Sequence, residues 1–345
     1  MRVLVTGGAG FIGRRVTDLL RTGGEDVAVL DSLRADVHRT PPDELPEHVA
    51  DIRDLAAVRD AMRGADVVVH LAAKVGLGVR LDDIDDYVSS NDLGTAVVLR
   101  AAASSGVGRV VLASSMVVYG DGAYTCAVHG SVPAAPRRRQ DLSEGRFEPR
   151  CPRCDAELAP GLVDESTPFD PRNAYAASKV QTELLGRVWA RDTGGSVTAL
   201  RFHNVYGPGM ARDTLYAGVA ALFRAAAERG EPPRVFEDGG QRRDFVHVRD
   251  VAAAVAAAVR RPRPPGEVTP YNVGTGRVTT VGGLAAAIAA NLGSPAPVTT
   301  GEFRLADVRH ITASSARIAA DLGWRAVVPL ESGLGELTGH SLLRG

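Results

Sequence analysis

The sequence predicts an α/β protein built on a doubly wound parallel sheet. Three observations support this: a short β-branched run at Arg2–Thr6, a glycine-rich turn directly after it, and a helix whose apolar residues recur from Phe11 onward. Strands and helices then keep alternating along the chain, which is typical of parallel sheets with helices on both faces. In such sheets ligands bind at the carboxyl ends of the strands.

The glycine-rich turn has the sequence Gly7-Gly8-Ala9-Gly10-Phe11-Ile12-Gly13. Between a strand and a helix, Gly7 permits a sharp turn, Gly10 lets the backbone approach a pyrophosphate, and Gly13 lets the helix pack closely on the strand. The free N–H groups and the positive dipole at the helix start favour an anion. The sequence therefore predicts a dinucleotide site of the Rossmann type.

The next two predicted strands refine the cofactor. The strand 26–30 ends in Asp31, 18 residues beyond Gly13. A carboxylate there accepts hydrogen bonds from the adenosine ribose and repels a 2′-phosphate, so NAD is predicted rather than NADP. The strand 66–70 runs into Leu71-Ala72-Ala73, whose small residues let a flat cofactor lie against the backbone.

The composition is that of a packed globular protein. The chain has 345 residues, of which 45% are hydrophobic, and a formal net charge of −1. This balance argues against nucleic acid or an anionic membrane as the main partner. The sequence has neither an apolar run long enough for a transmembrane helix nor the pattern of a signal peptide. We therefore expect a cytoplasmic protein.

Residues 121–171 interrupt the alternation of strands and helices. This insertion contains all three cysteines, in the pattern Cys126-x2-His129 and Cys151-x2-Cys154. Three thiolates and one imidazole saturate a tetrahedral zinc ion, so the predicted site is structural and not catalytic. Zinc would order a segment that has no core of its own. The alternative is a chance grouping, but every cysteine is paired within one insertion; His129 is the weakest assignment, since the chain has eight histidines.

A Tyr–Lys pair follows the insertion. Tyr175 and Lys179 stand four residues apart, on one face of a predicted helix. An ammonium beside a phenol lowers the phenol's pKa, which would make Tyr175 a base near neutral pH. Ser115, beyond the predicted strand 109–113, would hydrogen-bond the same substrate hydroxyl, with Ser114 as its competitor. The predicted catalytic residues are Ser115, Tyr175 and Lys179.

These motifs together carry a resemblance. The residues concerned are Thr6–Gly13, Asp31, Asp51-Ile52, His70–Ala73, Asn91, Ser114-Ser115, Val118–Gly120, Tyr175, Lys179, Arg201, Asn204, Arg243-Asp244, Arg304 and Asp307. With them the chain resembles the extended short-chain dehydrogenase/reductases of the NAD-dependent sugar-nucleotide epimerase/dehydratase family. The resemblance covers essentially the whole chain except the insertion.

The resemblance implies that NAD is bound tightly and regenerated in each catalytic cycle. Asp51 and Ile52 would flank the adenine. The substrate's nucleotide diphosphate would be held by Asn204, Arg243 and Arg304, and its ribose by Asp307. The cofactor-binding residues it implies are Gly7, Gly10, Phe11, Ile12, Gly13, Asp31, Asp51, Ile52, Leu71, Ala72, Ala73, Asn91, Tyr175 and Lys179. It also implies a homodimer built on the helices near 92–105 and 174–191.

The residues after Ser115 separate the reactions of the family. The 4,6-dehydratases and decarboxylases that resemble this chain carry an acid there, and 3,5-epimerases carry a cysteine, whereas this chain has Met116 and Val117. A 4-epimerase needs only the Ser/Tyr/Lys set and NAD. The sequence therefore predicts epimerisation at C4 of a nucleotide-diphosphate hexose through a 4-keto intermediate, with Gly76 and Gly78 leaving room for the sugar to turn. The alternatives are a UDP-glucuronate 4-epimerase, a sugar-nucleotide dehydratase or net oxidoreductase, and a non-catalytic NAD-sensing scaffold.

The predicted domain organisation follows from the resemblance. Residues 1–175 form an NAD-binding Rossmann domain interrupted by 121–171, and residues 176–345 complete the sheet and interleave with a smaller mixed α/β region for the sugar nucleotide. The insertion lies between Ser115 and Tyr175 and is therefore expected near the pocket mouth. A similar Cys/His insertion occurs in bacterial members resembling dTDP-L-rhamnose 4-epimerases. This points to a deoxyhexose or another modified hexose carried on dTDP or UDP.

Overall fold

Short strands are distributed along most of the chain. A computed structural model describes residues 1–35, 38, 45–76, 81–210, 218–305 and 307–339. Its strands are β1 (Arg2–Thr6), β2 (Asp26–Asp31), β3 (His48–Val49), β4 (Val67–His70), β5 (Arg109–Ser115), β6 (Tyr124–Cys126), β7 (Gly130–Ser131), β8 (Ala159–Pro160), β9 (Ser196–Phe202), β10 (Asn204–Tyr206), β11 (Arg234–Val235), β12 (Arg242–Arg243), β13 (Phe245–His247), β14 (Val268–Val273), β15 (Thr279–Thr280) and β16 (Val298–Thr299).

The α-helices alternate with these strands. They are α1 (Phe11–Thr22), α2 (Leu55–Ala61), α3 (Ile84–Tyr87), α4 (Gly94–Ser104), α5 (Arg139–Ser143), α6 (Ala174–Thr193), α7 (Val219–Glu228), α8 (Val248–Arg260), α9 (Val281–Leu292), α10 (Ala316–Leu322) and α11 (Leu330–Thr338). Short 3₁₀ turns lie at Leu81–Asp83 and Met116–Tyr119, and a π-helical turn spans Val88–Leu93. No helix among the described residues is long and apolar enough to cross a membrane.

The main sheet confirms the predicted parallel architecture. Seven strands pair in the order β14-β9-β5-β4-β1-β2-β3, and every pairing is parallel. Helices α1 and α8 pack on one face of the sheet, while α2, α4 and α6 pack on the other. Because both faces are covered, the central strands are continuous apolar runs, as in β4. The carboxyl ends of β1, β4 and β5 thus meet along one edge.

A smaller region lies beyond this sheet, toward the end of the chain. Helices α7, α9 and α11 form its own apolar cluster, which includes Tyr206, Phe223, Leu284 and Leu334. The short pairs β10–β13, β11–β16 and β12–β15 border it. The main sheet combines β1–β5 with β9 and β14, so it takes strands from both halves of the chain. The domain boundary predicted at residue 175 stays a prediction.

The insertion has more internal structure than its sequence indicates. Strands β7, β6 and β8 form a small antiparallel sheet, and α5 follows β7. The prediction of a segment without a core is wrong, because a small cluster of buried side chains lies within it: Tyr124, Cys126, Val132, Cys151 and Leu158. Two of these are cysteines, so the cluster includes two of the four predicted metal ligands.

Two predicted helices differ from those in the structure. The helix expected from Asn91 begins earlier, since Ile84–Tyr87 and the π-helical turn lead into α4 without a break. The acidic run before Asn91 hides this start because it lacks an apolar period. The helix expected over 215–229 is described from Val219, and residues 215–217, like Gly78, lie outside the described residues.

Candidate functional site

The glycine-rich turn after β1 adopts the sharp bend that its sequence predicts. Gly7 has a φ of +71°, a conformation that residues with a side chain rarely adopt, and its N–H donates to the Leu30 carbonyl at 2.8 Å. A Cβ on Gly7 would lie 2.7 Å from the amide nitrogen of Ala72. A Cβ on Gly13 would overlap the turn itself, so the lack of a side chain at Gly13 lets α1 pack closely on the turn that follows β1.

The start of α1 can receive a diphosphate. Gly10 precedes the helix, and a Cβ there would meet only the Gly7 carbonyl oxygen, at 3.3 Å. This face of the turn is therefore open, and Phe11 and Ile12 begin the helix behind it. Backbone N–H groups at a helix start bind anions. The turn thus fits the pyrophosphate of a dinucleotide.

Asp31 lies at the carboxyl end of β2, beside the turn. Its Oδ2 accepts the N–H of Ala9 at 3.1 Å, and its Oδ1 accepts the N–H of Leu33 at 2.9 Å. The carboxylate is buried. These bonds hold it next to the glycine-rich turn, a position that suits the predicted ribose role.

Asp51 and Ile52 follow β3 and already have partners. The Asp51 carboxylate pairs with the Arg53 guanidinium at 2.6 Å, and this hydrogen bond holds the pKa of Asp51 below its usual value. Ile52 is buried against Gly94 of α4. Their predicted contact with adenine stays a prediction.

The end of β4 is tied to the helix that carries the Tyr–Lys pair. Leu71 donates its N–H to the Thr6 carbonyl at 3.1 Å, and Ala72 and Ala73 follow it along the turn. Asn91 donates from Nδ2 to the Lys74 carbonyl and to the Ser178 hydroxyl, both at 2.9 Å. Asn91 belongs to the π-helical turn, a feature often found at functional sites. Through its bonds to Lys74 and Ser178, Asn91 joins the end of β4 to α6.

Ser115, Tyr175 and Lys179 meet at the carboxyl edge of the sheet. Asn173 caps α6 by accepting the Ala176 N–H at 2.8 Å, and this cap places Tyr175 in the first turn of the helix. The Ser115 hydroxyl, at the end of β5, lies close enough to the Tyr175 phenol to favour its phenolate form. Lys179 donates to the Ala113 carbonyl at 2.9 Å, and its Nζ lies 5.9 Å from the centre of the Tyr175 ring.

The protonation of this set differs from the prediction in one respect. In the protein alone, burial raises the pKa of Tyr175 to about 12, and the hydrogen bond from Ser115 opposes this only in part. The predicted lowering is therefore wrong for the chain by itself, because desolvation of the phenolate is the largest influence on the pKa of Tyr175. Burial lowers the pKa of Lys179 to about 8, and Asp92 opposes that shift.

The two neighbouring serines have different partners. Ser114 donates to Glu183 Oε1 at 2.5 Å, and the buried Glu183 also accepts from Arg201 at 2.8 and 2.9 Å. Arg201 in turn donates to the Tyr119 hydroxyl at 2.8 Å. Ser114 is thus part of a buried polar network behind β5, and Ser115 is the serine that faces Tyr175. No local pattern in the sequence predicts this network, because its members lie far apart along the chain.

The residues after Ser115 leave no acid beside the hydroxyl pair. Met116 and Val117 begin a 3₁₀ turn, and the Met116 sulfur lies 3.5 Å from the Asn204 amide nitrogen. The same Asn204 nitrogen donates to the Asp244 carbonyl at 3.2 Å. Asn204, a predicted substrate residue, therefore borders the position next to Ser115.

The other predicted substrate residues gather around one segment near the end of the chain. Arg243 donates to the carbonyls of Val308 and Arg309, at 2.5 and 3.0 Å. The Arg304 guanidinium lies 5.1 Å from the centre of the Phe236 ring. Burial raises the pKa of Asp307, while Arg304, Arg243 and Arg137 lower it. Three arginines thus lie close to Asp307. One of them, Arg243, donates its hydrogen bonds to backbone carbonyls.

The four residues of the Cys/His pattern come together in the insertion. The candidate ligand atoms of Cys126, His129, Cys151 and Cys154 all lie within 4.8 Å of one another. The Cys126 and Cys154 sulfurs are 3.7 Å apart, and His129 Nδ1 lies 3.5 Å from the Cys151 sulfur. Tetrahedral zinc with sulfur ligands at about 2.3 Å puts those ligands about 3.8 Å apart. The donors and their spacing therefore fit a zinc ion.

Together, the fold and this site define a class of protein. A parallel sheet with a glycine-rich turn at its first strand, and with Ser115, Tyr175 and Lys179 at its carboxyl edge, is the arrangement of short-chain dehydrogenase/reductases. The chain belongs to the NAD dependent epimerase/dehydratase family, whose sequence profile matches residues 3–141 and 155–274. Residues 142–154, inside the insertion, fall between the two matched parts.

Two characterised relatives span nearly the whole chain. The dTDP-L-rhamnose 4-epimerase of Burkholderia thailandensis is 33% identical, over 97% of this chain and 93% of the relative. The UDP-glucose 4-epimerase of Mycolicibacterium smegmatis is 32% identical, over 97% of this chain and 96% of the relative. The two differ in both nucleotide and hexose, so similarity alone leaves the substrate open.

Solved structures share the fold to a similar extent. The UDP-glucose 4-epimerase of Thermotoga maritima, solved with UDP-glucose, is 29% identical with a TM-score of 0.80 and covers 99% of this chain and 98% of its own. The UDP-glucose 4-epimerase of Thermus thermophilus, solved with NAD, is 30% identical with a TM-score of 0.78 and the same coverage.

Proposed function

We propose that the chain is an NAD-dependent 4-epimerase of nucleotide-diphosphate hexoses. One observation carries the proposal: the Ser115 and Tyr175 hydroxyls face each other beside Lys179, with no carboxylate at the two positions that follow Ser115. Such a pair can take a proton from a sugar hydroxyl and give it back. Elimination of water would need a further acid, for which Met116 and Val117 offer no group. Relatives that act as 4-epimerases support the same reading.

In the proposed reaction, the Tyr175 phenolate takes the proton of the C4 hydroxyl, and Ser115 hydrogen-bonds the same oxygen. Lys179 Nζ lies 5.9 Å from the centre of the Tyr175 ring. Together with the positive nicotinamide of bound NAD, its charge would oppose the burial that keeps the phenol protonated in the chain alone. NAD, held by the glycine-rich turn and Asp31, would supply the acceptor and later the donor of the C4 hydride. The 4-keto sugar turns over between the two transfers, and Tyr175 returns the proton.

The substrate we propose is a hexose on dTDP or UDP, with dTDP-L-rhamnose the first candidate. The identity with the Burkholderia thailandensis enzyme supports this choice. Asn204, Arg243 and Arg304 would bind the diphosphate and Asp307 the nucleotide ribose. UDP-glucuronate is the second candidate, because its C4 epimerisation needs the same groups.

A panel of sugar nucleotides tests the proposal. The purified protein is incubated without added cofactor with dTDP-L-rhamnose, UDP-glucose, UDP-glucuronate and dTDP-glucose, and the products are read by NMR. We expect a C4 epimer of at least one substrate. A 4-keto-6-deoxy product would instead identify a dehydratase, dependence on added NAD with NADH release a net oxidoreductase, and NAD binding without turnover a sensing scaffold.

We also propose that the Cys/His cluster holds a structural zinc ion. Four protein ligands leave no open coordination position, so the ion would order the insertion rather than take part in the reaction. Elemental analysis of protein purified without added metal is expected to find close to one zinc per chain. Far less than one zinc, in protein whose cysteines titrate as free thiols, would contradict this proposal.

We further propose that the protein is a homodimer built on the π-helical turn, α4 and α6. Four apolar side chains on these neighbouring elements are exposed in the single chain: Val88, Leu93, Leu184 and Val188. Burying them in a second copy would remove this surface from water. Analytical ultracentrifugation should find a dimer that Val188→Asp dissociates, whereas Val327→Asp, at an exposed position elsewhere, should leave it intact. A monomeric wild type would contradict the proposal.

A further inference from the structure

The insertion is joined by buried charges to the segment that carries Arg304 and Asp307. We call residues 304–310 the nucleotide segment; residue 306 is not described. Arg137, in the insertion, donates to the carbonyls of Arg304 and Asp307. Its guanidinium also pairs with Glu237 Oε1 at 2.7 Å, and both side chains are almost fully buried. One insertion residue thus holds the backbone carbonyls of both proposed substrate residues.

A second contact lies at the other end of the nucleotide segment. Glu148 accepts from Arg309 Nε and Nη2 at 3.0 and 2.6 Å, and its other oxygen lies 2.6 Å from His310 Nε2. His310 Nδ1 accepts the N–H of Arg242 at 3.1 Å, so Nε2 carries the proton and donates to Glu148. Glu148 therefore binds two successive side chains of the segment.

The two contacts belong to one buried network. The Arg309 guanidinium, 2% exposed, pairs with Glu237 at 2.8 Å and with Asp238 at 2.7 Å, in addition to Glu148. Glu237 is the carboxylate that also pairs with Arg137. Charge-assisted hydrogen bonds of this kind are shorter and stronger than neutral ones, so they fix the geometry of the side chains more firmly. Removing one partner is also costly, because it leaves a buried charge without compensation.

The network also lies close to the Cys/His cluster. Glu148 is three residues before Cys151, and the Ala135 N–H donates to the Arg150 carbonyl at 3.1 Å. Arg137, Glu148, Cys151 and Cys154 line the same cavity of about 610 Å³ within the insertion. The backbone that presents Arg137 and Glu148 is therefore the backbone that the cluster would order.

We propose that Arg137 and Glu148 are positioning residues for the nucleotide-diphosphate end of the substrate. They hold the nucleotide segment so that Arg304 and Asp307 face the ligand, and the insertion sets substrate affinity through them. The inference rests on the proposed function, since it takes the ligand to be a nucleoside diphosphate carrying a sugar. Neither residue would touch the reacting atoms, so hydride transfer in the bound complex stays unchanged.

Charge-neutralising variants within the insertion test this inference. Glu148→Gln and Arg137→Met are compared with Glu144→Gln and Arg138→Met, whose ion pairs with Arg146 and Asp141 lie inside the insertion. Glu237 and Arg309 keep each other as partners in the first two variants, so folding is expected to survive. Arg137→Lys keeps the charge without the planar fork and serves if Arg137→Met is not recovered folded.

The readouts are calorimetric binding of dTDP and UDP to the NAD-loaded protein, KM and kcat with the sugar nucleotide, and amide hydrogen exchange. We expect Glu148→Gln and Arg137→Met to weaken binding of the better diphosphate, and to raise KM, by about tenfold. Their kcat and NAD content should stay near wild type. Exchange should rise in peptides covering residues 304–310, and the matched controls should change neither measurement.

Each other outcome overturns the inference in a recognisable way. Wild-type affinity and exchange in both test variants, or equal losses in all four variants, would overturn the positioning role while leaving the proposed function intact. A wild type that binds neither dTDP nor UDP and produces no C4 epimer would overturn the proposed function and this inference with it.

Discussion

Two regions of the molecule, the proposed hydride-transfer site and the nucleotide segment, are held in different ways. Ser115, Tyr175 and Lys179 stand on β5 and α6, two elements of the main sheet, and Lys179 bonds directly to the strand backbone. The described part of the nucleotide segment is irregular and is held by residues far along the chain. Arg137 donates to its backbone carbonyls, and Glu148 pairs with Arg309. The first arrangement depends on the regular geometry of a parallel sheet, while the second depends on a few side chains.

The two kinds of support suit different tasks in the proposed reaction, namely proton transfer and substrate recognition. Sheet edges place catalytic groups with little freedom, which suits proton transfer over hydrogen-bond distances. A loop held by ion pairs can change its partners without disturbing the sheet, which suits the recognition of different nucleotides and sugars.

Tyr175→Phe should separate chemistry from binding most sharply. Without the phenol, no group accepts the C4 hydroxyl proton, so kcat should fall by about 10²–10⁴-fold. NAD content and nucleoside diphosphate affinity should stay unchanged. Tyr271→Phe is the matched control, because it removes a phenol whose hydroxyl donates to Asp321 on the far edge of the sheet. Turnover of Tyr175→Phe at the wild-type rate would disprove the mechanism.

The neighbouring serines should respond in opposite ways. Ser115→Ala removes the hydrogen bond with Tyr175 and should lower kcat by about 10–100-fold with little loss of stability. Ser114→Ala leaves Glu183 short of a donor in a buried network and should lower the free energy of unfolding by about 1–3 kcal/mol while sparing kcat. Steady-state kinetics and urea denaturation measure both. The reverse pattern would make Ser114 the catalytic serine.

Loss of the metal should weaken the insertion before it affects the chemistry. Cys151→Ser should lose most of the bound zinc, become sensitive to proteases within residues 121–171, and lose more than about 2 kcal/mol of stability. Because the nucleotide segment lies beside the insertion, KM should rise while kcat falls little. Chelated wild type should show the same changes and recover when zinc is restored. Recovery of kcat alone on adding zinc would indicate a catalytic metal.

The smallest expected effect is a pH dependence of stability that belongs to Lys179. Its pKa in the folded protein is about 8, below its ordinary value of 10.5, so the unfolded chain binds more protons between these pH values. Stability should therefore rise with pH in this window, by about 2 kcal/mol from pH 7.5 to 9.5. Cofactor-free wild type is compared with Lys179→Met by urea denaturation. Equal pH dependence in the two proteins would contradict the lowered pKa.

Much of the site could be predicted because its signals are local. The apolar run of β1, the glycines that follow it and the spacing of Tyr175 and Lys179 each act within a few residues, where backbone sterics and helical periodicity dominate. The Cys/His pattern is local in the same way, since each ligand pair spans one short turn. The boundary of the helix before Asn91 could not be read, because an acidic run carries no apolar period.

The sequence by itself therefore determined the parallel sheet, the glycine-rich turn and the grouping of the four Cys/His side chains, and it predicted the Ser/Tyr/Lys set. Only the tertiary structure decided that Ser114 belongs to a buried network with Glu183 and Arg201, and that burial raises the pKa of the Tyr175 phenol. It alone brought Arg137 to Asp307, 170 residues away, and Glu148 to Arg309, 161 residues away. The physical reason is that desolvation and ion pairing depend on which remote side chains share a volume, and no local pattern encodes that choice.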